Sequence, residues 1–149
     1  MNAVTAALLE RFAEWQTREF NPSRCPVRGV LDRVGEKWSI LVLITLASRP
    51  HRFNDLVRAI PDISKRMLTQ TLRGLERDGL VGREVFATKP PSVEYRLSAL
   101  GMSLLDPLSA LIAWAERNQQ SIERTRERFD GSAANVPSQA ARAYPTGAT

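Results

Sequence analysis

The sequence predicts a mainly α-helical fold carrying one small β-hairpin. Three observations predict it. Apolar residues recur at i, i+3, i+4 and i+7 through residues 53–60 and again at helical spacing through 64–79, with Pro61 between the two runs. Two short alternating runs, 81–85 and 93–97, flank Pro90-Pro91. A broad apolar stripe at helical spacing then runs on from Ser98.

The elements follow in order. In residues 4–20, Val4, Leu8, Leu9, Phe12, Trp15 and Phe20 lie among charges at helical spacing, an amphipathic helix that Asn21-Pro22-Ser23 breaks. Pro26 suits the first position of a second helix, which shows Val27, Val30, Leu31 and Val34 on one face and ends near Gly35. Glu36-Lys37-Trp38 opens a third, mostly buried helix to about Ser48, ended by Arg49-Pro50. His51 and Arg52 open the next, with Phe53, Leu56, Val57 and Ile60 inward until Pro61 stops it. Ser64 caps the helix after that through its hydroxyl, without the Glu at N3 of a full capping box. Leu68, Leu72 and Leu75 face inward, Lys65, Arg66, Thr69, Gln70 and Arg73 fall on the other side, and Gly79 ends the helix in the left-handed conformation. Two short helices joined by a tight turn, the second basic outside, make a helix-turn-helix.

Val81, Arg83 and Val85 alternate with other residues in the first strand, as do Val93, Tyr95 and Leu97 in the second. Thr88-Lys89-Pro90-Pro91-Ser92 makes a stiff basic tip between them. A hairpin in this place is a wing, so the core, residues 24–100, is a winged helix-turn-helix. Ser98 caps a last long helix whose stripe is Leu100, Leu104, Leu105, Leu108, Leu111, Ile112, Ala115 and Ile122, and Pro107 should kink or divide it. Residues 130–149 are mostly Ala, Ser, Gly, Pro and Gln and are expected to form a disordered tail.

The counts exclude several classes. The chain has 149 residues, 43% hydrophobic and 25% charged, enough for one cored domain. One cysteine and one histidine leave no disulfide within the chain, no zinc finger and no plausible nucleophile–base pair besides Cys25 with the distant His51. No enzyme, metal or cofactor is expected. The longest apolar run, 38–47, is interrupted by Ser39 and Thr45 and is about half a membrane span. Residues 1–10 have no basic stretch, so no signal peptide and no membrane partner are expected, and the cytoplasm is the expected compartment.

The net charge of +5 is unevenly placed. Residues 24–100 carry 14 Lys and Arg against 8 Asp and Glu, a net of +6, whereas residues 1–23 sum to −1 and 101–149 to 0. Residues 63–75 hold Lys65, Arg66 and Arg73 and no acid. A localised basic element points to a polyanion, here double-stranded DNA. The helix start at Ser64 turns backbone N–H groups toward a phosphate. Lys65 and Arg66 project from the first turn, where a recognition helix meets base edges. Arginine can fork onto guanine, Gln70 onto adenine, and Thr69 can touch a thymine methyl. Arg73, Arg52 and the wing-tip Lys89 are placed for phosphates or the minor groove, and His51 is either a phosphate clamp beside Arg52 or an exposed, solvent-facing bystander.

Several motifs resemble the HxlR-type winged-helix transcription regulators, a MarR-related group. They are Cys25-Pro26-Val27, Gly35-Glu36-Lys37-Trp38, Arg52-Phe53-Asn54-Asp55-Leu56, Ile63-Ser64-Lys65-Arg66-Met67-Leu68-Thr69-Gln70-Thr71-Leu72, Leu75-Glu76-Arg77-Asp78-Gly79-Leu80, Pro90-Pro91, Val93-Glu94-Tyr95 and Leu100-Gly101. The resemblance implies a cytoplasmic homodimer, a repressor more often than an activator, on an operator with two-fold symmetry. It implies α-helical dimerisation elements at both ends, residues 1–20 and 98–129. Ala87 and Ser92 stand where the family often has proline and arginine, which makes this wing less basic. Gly74 stands where a charged helix former is usual, at a cost of about 1 kcal/mol relative to alanine.

Cys25 precedes Pro26 at a helix start, between Arg24 and Arg28, a setting that favours a nucleophilic thiolate. The resemblance adds that some members sense electrophiles, quinones or oxidants through a cysteine at this position. The residues leave open the alternative, an inert thiol packed as a small hydrophobe. Two other readings stay open. A small-molecule inducer could lie in a pocket near the dimer seam lined by Trp15, Trp38, Trp114 and Phe20, or the winged helix could serve protein–protein contact without DNA.

Overall fold

The computed structural model describes residues 2–17 and 25–134. Their elements run α1 (Ala3–Thr17), α2 (Pro26–Gly35), α3 (Lys37–Ser48), β1 (His51–Arg52), α4 (Phe53–Ala59), α5 (Lys65–Arg77), β2 (Val81–Phe86), β3 (Ser92–Leu97) and α6 (Ala99–Ala134). The chain packs as two units, Met1–Asp106 and Pro107–Thr149, and the division falls inside α6. The break at Asn21-Pro22-Ser23, Phe20, Arg24 and residues 135–149 lie outside the described residues.

In the first unit the core is Val42, Leu43 and Leu46 of α3, Leu56 of α4, Ile60 and Ile63 beside the turn, Leu68, Leu72 and Leu75 of α5, and Val81 of β2. Burying each such side chain stabilises the fold by about 1.5–3 kcal/mol, which makes α3, α5 and the sheet one packing unit. The helix read as mostly buried, α3, buries only Ser39, Val42, Leu43 and Leu46, spaced i, i+3, i+4 and i+7. On its other side Leu41 and Ile44 are 38% and 44% exposed, so this helix is apolar all round but covered on one face.

Between α4 and α5, Pro61 supplies no N–H to extend the helix. Asp62 turns the chain with φ at 64°, a left-handed conformation that aspartate tolerates better than most residues. Ser64 then caps α5, its hydroxyl accepting from the Met67 N–H at 3.1 Å. Gly79, with φ at 73°, closes the other end. There the Leu80 N–H reaches the Leu75 carbonyl at 2.9 Å and the Gly79 N–H reaches Glu76 at 3.0 Å, the paired bonds of a Schellman ending.

The sheet is antiparallel with β3 in the middle, ordered β1-β3-β2. Two residues are too few to show alternation, which is why β1 was not legible and His51 and Arg52 were read as helix. His51 is buried opposite Tyr95, its Nδ1 2.8 Å from the Arg49 carbonyl. A carbonyl only accepts, so Nδ1 carries the proton. A buried histidine committed to backbone replaces both earlier roles, the solvent-facing bystander and the phosphate clamp.

Ser98 caps α6: the Gly101 N–H donates to its oxygen at 3.0 Å, while its own hydroxyl donates to the Gly79 carbonyl. Gly101 is pressed against the Leu80 carbonyl so closely that a methyl group there would overlap it. The helix runs through Pro107 without a break in secondary structure. It also continues through residues 130–134, where a disordered tail was expected to begin; Ser132 donates to the Arg128 carbonyl at 2.8 Å, and Gly131 does not end the helix.

Candidate nucleic-acid interface

Around α5, three stripes have different fates, as the helical period dictates. Leu68, Thr71, Leu72 and Leu75 are buried. Opposite them Arg66, Gln70, Arg73 and Arg77 are all exposed, spaced i, i+4, i+7 and i+11. Lys65 and Thr69 are exposed beside this stripe, and the Thr69 hydroxyl donates to the Lys65 carbonyl at 2.8 Å. Among the described residues, no carboxylate pairs with Lys65, Arg66, Arg73, Arg77 or Arg83. Arg77 belongs to this face and was missed, although its spacing from Arg66, Gln70 and Arg73 was the signal for it.

One flank of α5 is closed by α2. The Arg33 Nε donates to the Asp78 carboxylate at 2.7 Å, just past the end of α5, and its Nη1 lies 3.3 Å from Glu36. Glu36 in turn accepts from the hydroxyl of buried Ser39 at 3.1 Å. The hydrogen bond to Asp78, with the carboxylates' charge, raises the Arg33 pKa above its usual range against the opposing effect of burial. A methyl group on Gly74 would overlap the Arg33 guanidinium. Gly74 inside α5 thus has a physical account: it leaves the space through which α2 grips α5.

The other flank is open. Between α5 and the sheet lies a cleft of about 370 Å³. Phe53, Leu72 and Tyr95 line it together with the more exposed Thr69, Arg73, Glu76 and Arg83. The sheet register explains it. Arg83 lies directly opposite Tyr95, on the face that also bears Val81 and Leu97. That face is core at Val81, cleft at Arg83 and Tyr95, and solvent at Val85, which is 56% exposed. Arg83 was read only as an alternating strand residue; an arginine in the inward register was the signal that it served another purpose.

The opposite sheet face sets Glu84 directly across from Glu94, a like-charge pair that is unfavourable alone. Arg96 pairs with Glu84, and Arg52 lies 3.7 Å from Glu94. Arg52, expected to meet phosphate, is therefore also the N-cap residue of α4 and a partner of the sheet, though its side chain remains 61% exposed. Lys89 is exposed in the hairpin turn. Asp55 accepts from Arg58 and from the Arg52 N–H, and the bond to Arg58 chiefly holds its carboxyl below the usual range.

Cys25 is the N-cap residue of α2, half-buried and unpaired to another cysteine, with Pro26 at N1 as expected. Trp38 stacks under the Lys37 ammonium at 4.3 Å, and Trp15 meets Phe12 edge to face at 6.5 Å. Trp114 is 52% exposed in the second unit. None of the three lines the cleft beside α5. No described helix is long and apolar enough to cross a membrane.

Two short helices joined by a left-handed turn and followed by the antiparallel β2–β3 hairpin, which β1 extends to three strands from before the first of them, define the winged helix-turn-helix class of transcriptional regulators. The chain belongs to the HxlR-like helix-turn-helix family, which it matches over residues 33–123. It is 39% identical over 104 residues to the HTH-type transcriptional regulator YtfH of Escherichia coli K12, a span of 70% of this chain and 82% of that one. Among solved structures it is similar to the transcriptional regulator ytfH of Salmonella typhimurium, with a TM-score of 0.62 and 40% identity over 70% of this chain and 94% of that chain. It is also similar to the redox regulator HypR in its reduced form, with a TM-score of 0.62 and 39% identity over 67% of this chain and 99% of that chain. The chain is thus a transcriptional regulator of the helix-turn-helix type.

Proposed function

We propose that the chain binds a two-fold symmetric operator in double-stranded DNA as a cytoplasmic homodimer, with α5 in the major groove, and acts as a repressor. The observation that carries this reading is the exposed face of α5, where Lys65, Arg66, Gln70 and Arg73 stand without carboxylate partners beside a Ser64 cap. Cations held ready in this way have more to gain from phosphate and guanine than cations already paired. Recognition helices in such a dimer sit about one DNA turn apart, roughly 34 Å.

Exposed apolar side chains support the dimer. Val4, Leu8, Leu9 and Phe12 on α1 and Leu111 and Trp114 on α6 are about half exposed or more in the single chain, and burying them against a second copy would be favourable. The test of the DNA reading is a gel shift with fragments from next to its own coding region, followed by Arg66→Ala. That variant is expected to lose about 1–3 kcal/mol and to relax specificity at one base position. Equal loss over all operator variants would make Arg66 a phosphate contact; no shift at any fragment would leave the protein-contact reading.

The signal in this proposal is an electrophile or oxidant at Cys25, supported by the half-buried thiol at the α2 start and by similarity to the redox regulator HypR. With one cysteine per chain, the accessible products are a sulfenic acid, an adduct, a mixed disulfide or a Cys25–Cys25 link between subunits. Diamide should release the DNA from the wild type and not from Cys25→Ser. Equal release from both would return Cys25 to a packing role.

A further inference from the structure

We propose that the cleft between α5 and the sheet seats one phosphate of the DNA backbone, held by Arg73 from the helix and Arg83 from the wing. The inference rests on the DNA-binding reading and adds to it a strand residue, Arg83, well away from the wing tip.

The argument starts from size. An α-helix with its side chains is about 10–12 Å across, and the B-DNA major groove is about 12 Å wide. A helix in that groove nearly fills it, so the sugar–phosphate walls run along its two flanks. On α5 one flank is already occupied, because Arg33 lies over Gly74 and bonds Asp78. The flank toward the sheet is open and holds a cleft of about 370 Å³ lined by Arg73, Arg83, Glu76 and Tyr95.

Charge selects the occupant. Two guanidiniums and one carboxylate leave the cleft with one net positive charge, which suits a singly charged phosphodiester. Neither arginine has an ion-pair partner among the described residues, whereas Arg33, Arg52, Arg58 and Arg96 of the winged-helix core are each engaged by a carboxylate. The Arg83 position is fixed by strand register, opposite Tyr95, so it approaches the phosphate from a rigid element while Arg73 approaches from the helix. Glu76 opposes the anion and sets a limit on how tightly any sequence is held.

The experiment follows binding of a fluorescein-labelled mixed-sequence duplex of about 30 base pairs by anisotropy against salt, which needs no knowledge of the operator. Each phosphate neutralised contributes about 0.9 to the slope of log affinity against log salt. Arg73→Ala/Arg83→Ala is expected to lower the wild-type slope by about 0.9, one phosphate, and each single variant to weaken binding. Glu76→Gln is expected to tighten it several-fold. An unchanged slope in the double variant overturns the proposal, and so does a fall of about twice that size, which would mean two separate phosphates. A wild type whose binding ignores salt overturns the DNA reading itself, a different failure.

Inorganic phosphate, titrated at constant ionic strength, separates the two sources of the anion. It is expected to leave the melting temperature of the wild type unchanged. Stabilisation by phosphate that disappears in Arg83→Ala would make the cleft a small-anion site and end its assignment to DNA. Arg83 and Arg73 are exposed, so both variants are expected to melt as the wild type does. Should Arg83→Ala not fold, Arg83→Gln and Arg73→Ala carry the same slope test.

Discussion

Along one flank of α5, Gly74 and Asp78 receive the Arg33 guanidinium; along the other, Arg73 and Arg83 line an open cleft with no carboxylate bound to either. The two flanks belong to one thirteen-residue helix and draw on the same kind of side chain. On the first, a half-buried arginine is spent on holding the fold, with a glycine cut to its shape. On the second, arginine stays solvated. The difference teaches that a count of basic residues overstates the charge available to a polyanion, because part of it is already engaged inside the protein.

The comparison can be broken hardest at its glycines. Gly101 and Gly74 both leave room for a close approach, but what approaches differs: a backbone carbonyl at Gly101, the end of a flexible side chain at Gly74. Gly101→Ala is therefore expected to cost about 2–3 kcal/mol, since neither the Leu80 carbonyl nor α6 yields easily. Urea denaturation reads this directly, and a variant as stable as wild type would show that α6 does not dock through that contact.

Next in size is the clamp itself. Arg33→Ala should lower stability by about 1–2 kcal/mol, the value of a charged hydrogen bond discounted for solvent. Gly74→Ala should then come out within about 1 kcal/mol of wild type, because it gains about 1 kcal/mol of helix propensity while pushing the guanidinium off Asp78. The pair must be non-additive: in the Arg33→Ala background, Gly74→Ala should stabilise. Additive losses in that double-mutant cycle would mean that Gly74 and Arg33 act independently.

The smallest effect is in acid. Asp55 has its carboxyl held below the usual range, first by Arg58. A carboxyl of this kind adds stability that is present above the unfolded value, about 4, and fades as pH falls through the lower folded value. The gap between wild type and Asp55→Asn should therefore be visible at pH 6 and shrink toward pH 3, in matched urea midpoints. A gap that grows toward acid would contradict the assignment.

Legibility followed sequence separation. The Ser64 cap, the Gly79 ending, the inward leucines of α5 and the basic outer face are all local patterns, written within a few residues of each other. Strand β1 was too short to leave a pattern, and its consequence, a buried His51, followed from pairing with a strand more than forty residues away. The cleft needed Arg83 and Tyr95 brought beside Arg73, and no local rule joins those positions. The reason for Gly74 sat on α2, where only packing could put it.

By itself the sequence determined the helical periods, their caps, the wing and the place of the positive charge, because those depend on side chains a turn or two apart. Apart from Arg58, whose partner Asp55 lies three residues away, only the tertiary structure decided which arginines hold the fold and which keep no carboxylate. That choice depends on which carboxylate arrives within 4 Å, and distance in space, not order along the chain, sets the strength of a charge pair.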